Sequence, residues 1–465
     1  MCSNIRLDVG GSLCGTEGLG AVRAAERGCG LQACVRTRTL LPVCDVSVRR
    51  TFTAGPSRDI AMKPLTSLLL FLVGVVLCGP AWAATITVDC GSASTVQTAL
   101  SSASSGDTVR CTGSGWSGNV SIPNNKNITL DGGGVTVSGT LRIPSSPTFS
   151  ARVTNFTFSS TSRYAIVTGD GYTNKPWRFD HSTIAGGTQA IMGLGSGPGL
   201  IDHLTATNMG AFQQMIEPHY EGPDSTAGWA NAHTPGSPNA IYIEDSTFAR
   251  PGGDIWDGSC VIQAYYGARV VARNNSINAA MLEVHGSEGA IGGRWWEFYN
   301  NRFTNGAICI RAGSGIVFNN TGSMQFFAML EEDSGYPALY QVGRGQNQTL
   351  YPAYVWGNTI APSLNQGGLC SNAAANMVQL NRDVYVPSSG TTLPANCSVG
   401  QGYWKTDAGG NWDTTNATAA DGALYKCTST NHWDLYYTPY TYPHPLQAGA
   451  DSGVPPAPPA NLDIR

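Results

Sequence analysis

Residues 273–303 read RNNSINAAMLEVHGSEGAIGGRWWEFYNNRF, and this stretch decides the fold. It opens on Arg273-Asn274-Asn275-Ser276-Ile277 and closes on Tyr299-Asn300-Asn301-Arg302-Phe303, each two polar residues, a spacer and an apolar residue. The same pattern stands upstream as Asp180-His181-Ser182-Thr183-Ile184, Asp202-His203-Leu204-Thr205-Ala206 and Glu244-Asp245-Ser246-Thr247-Phe248. Downstream it returns as Phe318-Asn319-Asn320-Thr321-Gly322 and Trp356-Gly357-Asn358-Thr359-Ile360. The copies end at 184, 206, 248, 277, 303, 322 and 360, so the spacings are 22, 42, 29, 26, 19 and 38. Taking 42 and 38 as two units each gives a repeat of about 19–29 residues, the range of a solenoid.

Turn-forming Asn, Asp and Gly with almost no helical periodicity predict an all-β parallel β-helix over residues 84–395. Equivalent residues then stack at the strand spacing of roughly 4.8 Å. The register predicts Asp180, Asp202, Glu244 and Arg273 in one column. His181, His203, Asp245, Asn274, Asn300 and Asn319 form the next. Inward Ile, Val, Phe and Leu form the core, and Asn residues bond the backbones of neighbouring coils. The composition agrees. Charged residues are 12% and glycines number 57 of 465, which excludes coiled coils and helical bundles.

Outward from the repeat, Met62-Lys63-Pro64, the apolar run Leu68–Cys78 and Ala81-Trp82-Ala83 read as a signal peptide over 62–83. Residues 1–61, with eight arginines, no lysine and no sustained period, read as an over-extended, disordered N-terminus. The expected location is secreted or cell-surface. Residues 84–465 hold 18 basic and 26 acidic residues, a net charge of −8, which argues against nucleic acid as a partner. Of their seven cysteines, Cys90 with Cys111 and Cys397 with Cys427 are the favoured local disulfides. Residues 96–104 read as a helix capping the open end. Residues 396–447, rich in Trp and Tyr, read as a C-terminal cap over the last coil, and 448–465 as a Pro-rich tail.

The segment VQTALSSASSGDTVRCTGSGWSGNVSIPNNKNITLDGGG (96–134), the Asn-Asn coils, MLEVHGSEGAIGGRWWEFYNNRF (281–303) and YTPYTYPHPL (437–446) together resemble the pectate-lyase-like right-handed parallel β-helix superfamily, in its secreted bacterial form. The resemblance covers roughly residues 85–446. It implies the fold and an extracellular polysaccharide as partner. It does not choose among lyase, glycoside hydrolase, esterase, tailspike and adhesin, nor between monomer and trimer.

Three stretches break the coil length and are expected to wall a cleft: 209–240, 250–259 and 323–352. Their acids, histidines and aromatics suit sugar rings and hydroxyls, which nominates Glu217, His219, Trp229, Asp254, Trp256 and Asp257 for substrate binding. The sharpest cluster is Glu283-Val284-His285-Gly286-Ser287-Glu288 with Arg294 following. Period-two alternation points Glu283 and His285 the same way. A uronate lyase needs a base for the C5 proton and a cation for the carboxylate. His285 with Arg294 or Arg273 supplies both, and Arg294 engages Glu288 or the substrate carboxylate. The column of Asp180, Asp202 and Glu244 suits a hydrolase acid/base pair or calcium held through oxygens. A polar ladder satisfying turn backbones is the plainer reading of that column. No zinc-type Cys/His spacing, P-loop or nucleophile elbow occurs.

Overall fold

In the computed structural model, the chain winds through three strands per coil. Residues 83–448 are described, apart from 145, 147, 160–164, 169–174, 186–190, 194–197, 210–213, 219–233, 251, 254, 256–259, 266, 287–291, 331–350 and 367–377. The predicted signal peptide and N-terminal extension lie outside the described residues, save Ala83.

One face is a twelve-stranded parallel sheet running from Thr85–Asp89 through Trp177–Asp180, Gly199–Asp202, Ile241–Glu244, Arg269–Arg273, Trp295–Tyr299, Ser314–Phe318 and Ala353–Trp356 to Val384–Tyr385. A second face is a row of short strands, among them Thr183–Ile184, Thr205–Ala206, Thr247–Ala249 and Ser276–Asn278. A third face contains Ile191–Gly193, Gln214–Pro218, Cys260–Ala264 and Met281–Val284. The second and third rows converge on the nine-residue strands Arg302–Ile310 and Thr321–Met329, and every pairing among these faces is parallel. This is a parallel β-helix, as the repeat predicts.

The register follows the predicted column residue by residue. Asp180 pairs Asp202, Asp202 pairs Glu244, Glu244 pairs Arg273, Arg273 pairs Tyr299, Tyr299 pairs Phe318 and Phe318 pairs Trp356. One expectation is corrected here. Because Asp202 pairs Glu244 directly, and Phe318 pairs Trp356, the spacings of 42 and 38 are single coils with long insertions, not doubled coils. Spacing alone cannot separate the two cases, since a loop adds residues without adding a rung.

The next column turns the corner between first and second faces. Asn155, His181, His203, Asp245, Asn274, Asn300, Asn319 and Gly357 all have φ between 48° and 64°. That left-handed conformation favours Asn, Asp and Gly, which is why the repeat shows in the sequence. One residue further, the buried amides form a ladder. Asn301 Oδ1 accepts from Asn275 N and Nδ2, Asn320 Oδ1 from Asn301 N and Nδ2, and Asn358 Oδ1 from Asn320 N and Nδ2. The other Nδ2 hydrogen reaches a backbone carbonyl of the preceding coil, as from Asn301 to Ala272 O at 2.9 Å. Buried turn groups are thereby satisfied.

Inside, one apolar cluster runs the length of the coils, from Val109 and Leu130 through Phe158, Phe179, Ile243 and Phe298 to Val355 and Val384. The helix Ala93–Ser102 begins at Ser92, whose side chain accepts from Thr95 N, and buries Val96, Ala99 and Leu100 in this core. The disulfides Cys90–Cys111 and Cys397–Cys427 form as expected, and Cys309 is also disulfide-bonded.

The C-terminal aromatics lie elsewhere than on the last coil alone. A four-stranded sheet, Ser388–Gly390, Gly402–Lys405, Ala423–Ser429 and His432–Tyr437, supplies Trp404, Leu424 and Tyr437, joined by Trp412. They pack on the outward side chains of the first face, Leu200, Tyr242, Val271, Tyr299, Phe318 and Trp356. The physical reason is in the outward residues: the column that is charged from Asp180 to Arg273 becomes aromatic from Tyr299 on, and the outward column beside it carries Leu200, Tyr242 and Val271, all of which need cover. Tyr299, Phe318 and Trp356 stack at 4.7 and 4.6 Å between centroids. Among the described residues no helix is long and apolar enough to cross a membrane.

Candidate functional site

The third face carries a cluster of buried ionisable side chains around His285. Gln263 pairs Glu283 and Glu283 pairs Cys309 in register, so these side chains occupy one outward column. His285 stands two residues beyond Glu283 and points the same way, as alternation predicts: its Nδ1 lies 3.2 Å from Glu283 Oε1. Val284 pairs Ile310, which brings Arg311 beside His285 on the adjacent coil. The Arg311 guanidinium contacts both Glu283 Oε1 and His285 Nδ1.

Further partners close the cluster. Glu283 Oε2 accepts from Gln263 Nε2 at 2.8 Å and from the Cys260 thiol at 3.1 Å. The Tyr265 ring packs on the His285 imidazole with centroids 4.2 Å apart. All these groups are buried or nearly so, His285 at 2% exposure. Burial works to raise the Glu283 carboxyl, but Arg311 and His285 outweigh it and hold the group well below the usual carboxylate range. Burial, reinforced by Glu283 and Glu217, pushes the Tyr265 phenol well above its ordinary value. Glu283 therefore stays an anion and Tyr265 a proton-bearing phenol.

The structure divides the remaining candidates. Glu217 is buried on the third-face strand preceding Cys260–Ala264, close enough to act on Tyr265. Arg294 is buried, with its guanidinium over the Tyr351 ring at 5.5 Å. Arg273 is not brought to this cluster. It lies on the first face, with Nε donating to Glu244 Oε2 at 2.6 Å and its other N–H groups to Tyr299 Oη, Tyr440 O and Thr441 O. The cation beside His285 is Arg311, which no motif in the sequence singles out. Its one signal there is the 26-residue coil spacing, since 311 stands 26 beyond 285. Glu288, His219, Trp229, Asp254, Trp256 and Asp257 lie outside the described residues, as do Glu331, Glu332, Asp333 and Arg344.

Described strands of this face border the stretches that break the coil length. The chain leaves Gln214–Pro218, Met281–Val284 and Thr321–Met329 into stretches that return only at Ile241–Glu244, Trp295–Tyr299 and Ala353–Trp356, while 250–259 enters the face ahead of Cys260–Ala264. Parts of the predicted walls are themselves strand: 214–218 and 323–329.

The acidic column on the first face does not make an oxygen cage for calcium. Asp180 is held by Arg152 at 2.7 and 2.9 Å, Asp202 by Arg178 at 2.8 and 2.8 Å, and Glu244 by Arg273. Glu244 Oε1 also accepts from His444 N and Gln447 Nε2. These carboxylates are taken up by arginines and by the returning C-terminal segment.

No family model matches the chain, and no curated protein matches it. Among solved structures, the chain is similar to the PL6-family alginate lyase AlyGC at 12% identity and a TM-score of 0.30, over 65% of this chain and 53% of that one. It is similar to an arginine-to-alanine variant of that lyase at 13% identity and a TM-score of 0.30, over 82% of this chain and 60% of that one. The match thus spans less than two thirds of either lyase chain.

Proposed function

We propose that the protein is a polysaccharide lyase that cleaves an extracellular uronate polymer by β-elimination on its third face. The observation that supports this reading is the convergence of Glu283, His285 and Arg311 at the outward side of that face, beside Tyr265. A β-helix needs no such group there: the equivalent first-face positions are filled by aromatics or by ion pairs tied to backbone.

In this reading His285 is the base that takes the C5 proton. Its Nδ1–H donates to Glu283 Oε1, which leaves the lone pair on Nε2. Arg311 neutralises the substrate carboxylate as charge spreads into it. Tyr265, protonated over the whole neutral range, delivers a proton to the departing glycosidic oxygen. Arg294 and Glu288 serve the neighbouring sugar, and Glu217, His219, Trp229, Asp254, Trp256 and Asp257 bind along the polymer. A hydrolase would need one carboxyl kept protonated as acid. Glu283, held as an anion, does not suit that role, which favours the lyase.

The burial of His285 favours a second reading, a non-catalytic glycan-binding or adhesin-like β-helix in which the cluster only pins coils together. Incubation with a panel of uronate polymers, followed by absorbance of the unsaturated product, separates the two. The lyase releases product, and His285→Gln lowers kcat/KM by about 10²–10⁴-fold, the typical share of a general base. Polymer binding without product, or a His285→Gln variant of undiminished activity, removes the proposal.

A further inference from the structure

We propose that His181 and His203 form a surface site for a divalent first-row transition ion, at the corner between the first and second faces. It is separate from the cluster on the third face and does not rest on the lyase reading.

The first ground is what stands at this corner. Eight coils turn through the left-handed region here, and Asn, Asp or Gly fills six of those positions. His181 and His203, at φ 48° and 51°, are the two exceptions, and they sit on adjacent coils. Asparagine makes the same turn at Asn155, Asn274, Asn300 and Asn319, so the turn itself does not require an imidazole.

The second ground is how the rings are held. His181 Nδ1 lies 2.7 Å from Asp180 Oδ2, and His203 Nδ1 lies 2.8 Å from Asp202 Oδ2. Each carboxylate is already gripped by two N–H groups of an arginine, Arg152 or Arg178, so it can only accept. The proton of each neutral imidazole is therefore on Nδ1, and the lone pair is on Nε2. A carboxylate behind a histidine is the arrangement that orients a metal ligand and raises its basicity. Neither Nε2 bonds a described residue.

The third ground is mutual geometry. The rings are parallel within 4°, their centroids are 4.6 Å apart, and the side chains are 48% and 43% exposed. A tetrahedral ion with nitrogen at about 2.0–2.1 Å sets its two nitrogens roughly 3.3 Å apart. The rings stand parallel, so their in-plane lone pairs converge on one ion only after the half-exposed side chains rotate toward each other. Asp202 orients rather than ligates, because Arg178 and His203 take its oxygens. Two imidazoles completed by water select copper, nickel or zinc over calcium or magnesium, with copper(II) the tightest.

The test is calorimetric titration of tag-free protein with Cu²⁺ and, separately, Zn²⁺, with electron paramagnetic resonance of the copper form. One equivalent of copper is expected, with two imidazole nitrogens in its spectrum. His181→Asn and His203→Asn each weaken binding tenfold or more, and the double variant removes that equivalent. Asparagine is the residue of the neighbouring corners, so the fold is kept, and an unchanged circular dichroism spectrum and melting temperature check this. A double variant that binds copper like the native chain, or calcium binding as tightly as zinc, overturns the site. His285→Gln leaves copper binding unchanged, so this result stands or falls apart from the lyase reading.

Discussion

On the first face, Arg273 meets Glu244 Oε2 at 2.6 Å, and its other N–H groups end on the Tyr299 hydroxyl and the carbonyls of Tyr440 and Thr441. On the third face, Arg311 meets Glu283, and the circle is completed by His285, Gln263 and Cys260. Both pairs are fully buried arginine–glutamate contacts one coil apart. They differ in what completes them. The first pair is completed by the Tyr299 hydroxyl and by backbone carbonyls of Tyr440 and Thr441, which fasten the C-terminal segment to the coils. Only the second pair adds a histidine and a thiol, groups that exchange protons near neutral pH, so it is the one suited to chemistry. Burial of an ion pair alone therefore says little about function, and the identity of its remaining partners says more.

The sharpest way to break this comparison is to remove each arginine. Arg273→Met strands Glu244 and loosens Tyr440–Thr441. It is expected to cost about 3–5 kcal/mol of unfolding free energy, the usual penalty for an orphaned buried charge. Product formation per folded molecule should stay unchanged. Arg311→Met should remove product formation. If Arg273→Met also abolishes turnover in folded protein at low temperature, the division between fastening and chemistry is wrong.

Within a single coil the same contrast recurs on a smaller scale. Asn301 accepts from Asn275 N and Nδ2 and donates to Ala272 O, all buried, whereas its neighbour Asn300 turns the corner at φ 55°. Asn301→Ala leaves those groups unsatisfied and is expected to cost about 1–3 kcal/mol. Asn300→Gly, which keeps the left-handed turn, should cost only a few tenths. Equal losses in denaturant titrations would mean that the ladder contributes no more than the turn.

These Asn positions also explain how much of the fold is legible in the sequence. The left-handed corner and the amide ladder each demand a narrow set of residues, so coil after coil prints His, Asp, Asn or Gly at the corner and, from Asn275 on, Asn one residue later, and the register can be read directly. The insertions cannot, because a loop after Gln214–Pro218 or Thr321–Met329 and an extra coil lengthen the spacing alike. Arg311 sits in Ile310-Arg311-Ala312-Gly313, which carries no motif. Only the coil register joins it to His285. Arg273 draws attention because a cation in a column of acids resembles a site. Its true partners, Tyr440 and Thr441, lie more than 160 residues away and leave no local trace.

The smallest expected effect sharpens the comparison most, because it has opposite signs on the two faces. Glu283 on the third face is held below the usual value of 4.5, against burial, by Arg311 and His285. Its ionised form is favoured by folding, so its contribution is fully present above pH about 4.5 and is lost as pH falls through the folded value. Glu297 on the first face accepts from Gly236 N, Trp295 Nε1 and Tyr437 Oη, yet burial still raises it above 4.5. Its contribution is fully present below pH about 4.5 and is lost as pH rises through the folded value. The cost of Glu283→Gln, read as the difference in unfolding free energy from the native chain, should therefore shrink in acid, while the cost of Glu297→Gln should shrink as pH rises. A tenfold change in proton affinity between the folded and unfolded chain is worth about 1.4 kcal/mol, which sets the scale on which both slopes are read. Denaturant titrations between pH 3.5 and pH 7 give both slopes. Slopes of the same sign would mean that the two buried carboxyls feel the same environment, and the third-face cluster would lose its claim to a held anion.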